Sequence, residues 1–110
     1  MTSIVFLRNS NNQIISVECS GHTGYGIEGE DIVCAGISCL VQTAILGLLH
    51  EAKVNIDYTV DEKKAYVKVL VPENITREKR HDADIILNTL LIGLSDMYEG
   101  FSDFMELEVL

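Results

Sequence analysis

The sequence predicts an α/β (α+β) fold, a two-layer sandwich in which a mixed sheet of about five strands carries two helices on one face. Three observations lead there. Two pairs of alternating apolar and polar segments, each joined by a polar turn, read as β-hairpins. Each hairpin is followed by a long run whose apolar residues recur at helical spacing. A short alternating segment closes the chain. The resulting order is ββαββαβ, and strands with one polar face imply a sheet covered on one side only.

Taken in turn, Thr2 to Leu7 is apolar and β-branched, hence a strand, and Asn9 to Asn12 is a polar turn. Gln13 to Cys19 alternates, with Ile15, Val17 and Cys19 predicted on the inner face and Ser16 and Glu18 on the outer. A glycine-rich loop then runs to Asp31. From about Ile32 to Glu51 the residues Val33, Ile37, Leu40, Val41, Ala44 and Leu48 define a helix, with Asp31 as its N-cap. Val54, Ile56, Tyr58 and Val60 alternate with polar neighbours, as do Ala65 to Val71, across a turn at Asp61 to Lys64. Ala83, Ile86, Leu87, Leu90, Leu91, Leu94 and Tyr98 mark the second helix. Its start is hard to fix, because Arg77, Lys79 and Arg80 oppose the positive end of a helix dipole. Met105, Leu107 and Val109 alternate with glutamates in the last strand.

The chain has 110 residues, 47% hydrophobic and 23% charged, which suits a single domain spanning 1–110. Eight basic against 17 acidic residues give a net charge of -9. That balance argues against direct nucleic-acid binding, which needs cations to replace counterions on phosphate. It favours a basic partner. The apolar stretch from Ile32 to Leu49 holds Ser38, Gln42 and Thr43 and reads as a buried helix, not a membrane span. Three cysteines cannot all pair and no secretory signal is read at the start, so free thiols in a reducing cytoplasm are expected.

The chemically dense stretch is GHTGYGIEGEDIVCAGIS, Gly21 to Ser38. A cysteine is nucleophilic only as a thiolate. With Asp31 as cap, Cys34 falls at the third helical position, where unpaired amides and the helix dipole favour negative charge and could hold an oxyanion. The charge of Asp31 works against the thiolate. His22, three residues past the strand, could be folded back by the pliant loop to take the thiol proton and return it to the leaving amine. Asp31 could orient that imidazole, although capping ranks first, and Ser38 lies one turn beyond Cys34 on the same stripe. Cys19 and Cys39 read as core residues, His50 as a partner of a helix C-terminus, and His81 as solvated.

Two other patterns carry less. Gly24-Tyr25-Gly26-Ile27-Glu28-Gly29 matches G-x-G-x-x-G, but it does not start at a strand end inside a βαβ unit, so a dinucleotide site is not expected. Cys19, His22, Cys34 and Cys39 fit no standard zinc spacing, and no metal or other cofactor is expected. From another class, a non-catalytic dimeric ribosome-associated binding or assembly protein would share the small size and acidic surface.

Gly21-His22 after the second strand, and Asp31-Ile32-Val33-Cys34-Ala35 at the first helix, resemble the ribosomal-processing cysteine protease Prp family. Length and element order are similar throughout. The resemblance implies a cytoplasmic bacterial endopeptidase, usually a homodimer, with a Cys-His dyad. Its substrate would be the basic N-terminal segment of one ribosomal protein, the twenty-seventh of the large subunit. Cys34 would be the nucleophile and His22 the general base, with Asp31 and Ser38 supporting. Gly21, Gly24, Tyr25, Gly26, Ile27 and Gly29 would form a loop that closes over the substrate.

Overall fold

The computed structural model describes residues 1–21 and 30–110, the side chains of Glu30 and Asp31 excepted. Its elements follow the order ββαββαβ: β1 (Thr2–Arg8), β2 (Ile14–Gly21), α1 (Glu30–His50), β3 (Asp57–Asp61), β4 (Tyr66–Leu70), α2 (Arg77–Phe101) and β5 (Met105–Val109). They form one five-stranded sheet in the spatial order β3-β4-β2-β1-β5. Neighbouring pairs are antiparallel except β1 with β5, where Thr2 lies opposite Met105 in a parallel ladder. The last strand, which the sequence left unplaced, therefore forms an edge beside β1.

The core lies between one sheet face and the helices. Ile4 and Phe6 of β1, Ile14 and Val17 of β2, and Met105 of β5 are fully buried there. From above, Val33, Ile37, Val41, Ala44, Ile45 and Leu48 of α1 and Ala83, Leu87, Leu90 and Leu94 of α2 close the layer. Burying such side chains is the main force holding the two layers together. The helices run antiparallel, with Gly36 against Met97, Leu40 against Gly93 and Gly47 against Ile86. A β-carbon at Gly36 would stand 3.1 Å from Met97 Cε, so the glycine there permits close helix approach. By length and composition Ile32–His50 is apolar enough to cross a membrane, but here it is the central core helix.

Several local expectations are corrected. The ladder between β1 and β2 shifts at Leu7 and Arg8, so Arg8 pairs with Ile14 and Ile15 is skipped. This bulge turns Ile14 into the core with Val17 and Cys19, and leaves Ile15 only partly buried. Val54 and Ile56 precede β3 instead of belonging to it. Both are buried, and the Val54 amide donates to Leu48 O at 2.9 Å, so this segment seals the end of α1. Tyr58 and Val60 share the helix-side face of edge strand β3 with their partners Val69 and Val67, yet remain exposed. Tyr98 is also exposed, near the end of α2.

The start of α2 is resolved by Thr76, an N-cap missed in the sequence. Its Oγ1 accepts from the Lys79 amide at 3.1 Å. The cationic first turn is tolerated because Arg80 donates through Nη2 to Asp84 Oδ1 at 2.6 Å and to Ile14 O at 2.8 Å, which also ties the helix to β2. Thr76→Ala is expected to lower unfolding stability by about 1 kcal/mol, read from the urea midpoint at unchanged slope.

Candidate active site

Cys34 lies on the inward side of α1, half-buried, near the helix start. The helix begins at Glu30, so Asp31 sits within the first turn and is not its cap, and Cys34 is the fifth helical residue instead of the third. An acidic residue in a first turn is favoured by the dipole just as a cap is. Side chains on a helix lean toward its N-terminus, so Cys34 is tilted back over that turn.

The sulfur reaches the sheet. Thr2 Oγ1 and Cys34 Sγ are 3.1 Å apart, a contact from the first residue of β1 to the first helix. Thr2 is only 4% exposed. Gly21 stands opposite Thr2 in the β1–β2 ladder. Its φ is +145°, and a β-carbon there would come within 2.4 Å of Met1 O and 2.6 Å of Thr2 Cα. Only glycine allows the end of β2 to lie this close to β1. The strand runs to Gly21, two residues beyond its expected end at Cys19.

Cys34, Thr2 and Gly21 open onto one cleft of about 320 Å³. Its α1 wall includes Ile37, Ser38, Val41 and Gln42, and its other wall is the β3–β4 hairpin, with Val60, Asp61, Glu62 and Val67. Its lining is mainly apolar with acidic groups from the hairpin turn, which suits a chain segment carrying both apolar and basic side chains.

The remaining assigned residues separate. Ser38 lines the cleft, but its Oγ accepts from Gln42 Nε2 at 2.8 Å, along the helix and away from the sulfur. His22, Gly24, Tyr25, Gly26, Ile27 and Gly29 lie outside the described residues, as does the side chain of Asp31. Cys19 is buried under the cleft, and burial, followed by the charges of Glu18 and Cys34, pushes its thiol up to about 12. It is a protonated, packed thiol at neutral pH. Cys39 is exposed, contrary to its assignment to the core. It lies two residues from buried Ile37, which at 100° per residue puts it on the opposite side of α1. Among the described residues no group of three or more His, Cys, Asp or Glu is arranged to hold a metal ion.

The residue missed by sequence reasoning is Thr2. A threonine in a β-branched strand has no signal of its own. Its one clue was polarity at a position whose alternating neighbours, Ile4 and Phe6, point into the core.

A family model described as "Cysteine protease Prp" matches residues 1–106. The ribosomal processing cysteine protease Prp of Bacillus subtilis (strain 168) is 24% identical over 103 residues, covering 94% of this chain and 92% of that protein. The crystal structure of the essential ribosomal processing protease Prp from S. aureus in complex with a substrate peptide superposes with a TM-score of 0.89 at 21% identity, covering 100% of both chains. The same S. aureus protease with a covalently linked product peptide gives 0.84 at 23% identity, again over 100% of both chains.

Proposed function

Since the chain belongs to the cysteine protease Prp family, and is thus a cysteine protease, we propose that it removes the N-terminal extension of the twenty-seventh large-subunit ribosomal protein through a Cys34–His22 dyad. The observation that carries this reading is the placement of the Cys34 sulfur at the cleft, beside the strand end from which residue 22 continues. Gly21 lines that cleft, and His22 is the next residue in the chain.

In this mechanism the imidazole of His22 takes the Cys34 proton and the thiolate adds to the scissile carbonyl carbon. The carbonyl oxygen gains the negative charge. The first-turn amides of α1, which have no intrahelical acceptor, lie on the side toward which Cys34 leans and are suited to stabilise it. Collapse of the adduct breaks the C–N bond, and His22 returns its proton to the departing amine. A thioester joins the N-terminal fragment to Cys34. Water, deprotonated by the same imidazole, hydrolyses the thioester and regenerates the thiol.

The substrate assignment draws on the names of the relatives and on charge. A net charge of -9 and the carboxylates Asp61 and Glu62 at the cleft suit a basic ribosomal-protein arm, whose approach they would accelerate. We assign Asp31 and Ser38 supporting roles, Gly24, Tyr25, Gly26, Ile27 and Gly29 the substrate loop with Gly21 at the strand end that leads into it, and the reaction to a homodimer in the cytoplasm.

The test is processing of the extended precursor by the purified chain, with product ends mapped by mass spectrometry. One cut releasing the extension is expected, and prior alkylation with iodoacetamide should abolish it. An uncut precursor, or cleavage unaffected by alkylation, would sink the proposal. Cleavage should also slow as ionic strength rises, because steering between exposed charges is screened.

A further inference from the structure

Thr2 is a polar side chain in a buried row. The positions that share its face of β1, Ile4 and Phe6, are fully buried apolar residues. A hydroxyl held in such a place without a partner is destabilising by roughly 1–3 kcal/mol. Its partner is the Cys34 sulfur, 3.1 Å away. While that sulfur is a thiol, either atom can donate. Once it is a thiolate it has no proton, and the hydroxyl becomes the donor.

The hydroxyl is also held in place. Thr2 is paired on both sides, with Gly21 of β2 and Met105 of β5, and its amide donates to Phe104 O at 3.1 Å. Its β-branched side chain has few rotamers to choose from. A donor fixed in this way needs little reorganisation when charge forms beside it.

We propose that Thr2 is a positioning residue of the protease, which holds the Cys34 sulfur at the cleft and donates a hydrogen bond to its thiolate before attack. This rests on the reading of Cys34 as nucleophile. Among the described residues, the titratable groups that line the cleft with Cys34 are Cys19 of β2, Asp61 and Glu62 of the β3–β4 side, and Tyr66 of β4, whose hydroxyl is turned away to Glu18 at 2.6 Å. From α2, the uncharged Met97 packs against Gly36, two residues along α1 from Cys34. All of these groups are retained when Thr2 alone is changed.

The experiment compares the full chain with Thr2→Val and Thr2→Ser. Iodoacetamide uptake at Cys34 is followed against pH by peptide mass spectrometry, with exposed Cys39 as the internal control. Thr2→Val should move the midpoint of the Cys34 profile upward and slow its alkylation at neutral pH by roughly threefold to tenfold. The kcat for precursor cleavage should fall by a similar factor with KM little changed, while Thr2→Ser stays near wild type. Thermal stability should hold or rise in Thr2→Val, since a methyl suits the buried row better than a hydroxyl. A merely structural role would give the opposite pattern, with lower stability and an unshifted profile. Should Thr2→Val not fold, Thr2→Ala removes the same hydroxyl without added bulk, and the same upward shift is expected. A wild-type profile in the variants lacking the hydroxyl overturns the proposal, as does an equal shift in Thr2→Ser. Wild-type cleavage by Cys34→Ala would instead remove the nucleophile assignment, and the alkylation profile would still report on the hydroxyl–sulfur bond.

Discussion

Cys34→Ala is expected to leave no detectable cleavage of the extended precursor, a loss of at least about a thousandfold. Alanine keeps the helix and removes only the sulfur, so the fold should survive. The Thr2 hydroxyl loses its partner, which should cost about 1–3 kcal/mol in a urea titration. Cys34→Ser should restore much of that stability, because its hydroxyl can bond to Thr2, while remaining inactive because a serine hydroxyl is a poor nucleophile without stronger activation. This separation of stability from activity is more informative than inactivity alone. His22→Ala should reduce cleavage by roughly a hundredfold to ten-thousandfold, the range for loss of a general base. Cleavage at the wild-type rate by Cys34→Ala, mapped to the same bond, would falsify the nucleophile assignment.

Gly21→Ala should be the most damaging single-atom addition near the cleft. The backbone there, at φ +145°, is open to glycine and strained for other residues, and the new carbon would meet Met1 O at 2.4 Å. Conformational strain of this kind costs about 1–3 kcal/mol, and overpacking against backbone adds a similar amount. A loss of about 2–5 kcal/mol is therefore expected from denaturant unfolding, a large share of the 5–15 kcal/mol typical of a domain. The clashing atoms belong to Met1 and Thr2, so relief of the clash pushes the start of β1 away from β2. Cys34 alkylation and precursor cleavage should then fall together. An unchanged urea midpoint would show that the chain end relaxes without effect.

Much of this arrangement could be read from residue patterns because the core is periodic. Val33, Ile37, Val41 and Leu48 on α1, and Ala83, Leu87, Leu90 and Leu94 on α2, occupy the buried stripes their spacing predicted. The failures fall where tertiary context overrides period. Ile14 enters the core because a bulge skips Ile15, and bulges leave no mark in alternation. Tyr58 and Val60 alternate correctly but stay exposed on β3, at the edge of the sheet. Cys39 was assigned to the core on the general tendency of cysteine to be buried, although its helical angle points the other way. At the site, the position of Cys34 near a helix start was legible in the sequence. Thr2 was not, because its role comes from a contact across 32 positions of sequence.

The parallel pairing of β1 with β5 has a consequence for how the protease comes into being. Thr2 is synthesised well before Phe104, whose carbonyl accepts from its amide, and before Met105 to Val109, which flank its strand. Contacts so distant in sequence close late, since the intervening chain must first be ordered. At about 5–20 residues per second of translation, Thr2 stays unclamped on that side for several seconds. A nascent chain therefore carries Cys34 for some time before it carries the strand that holds Thr2 in place beside it.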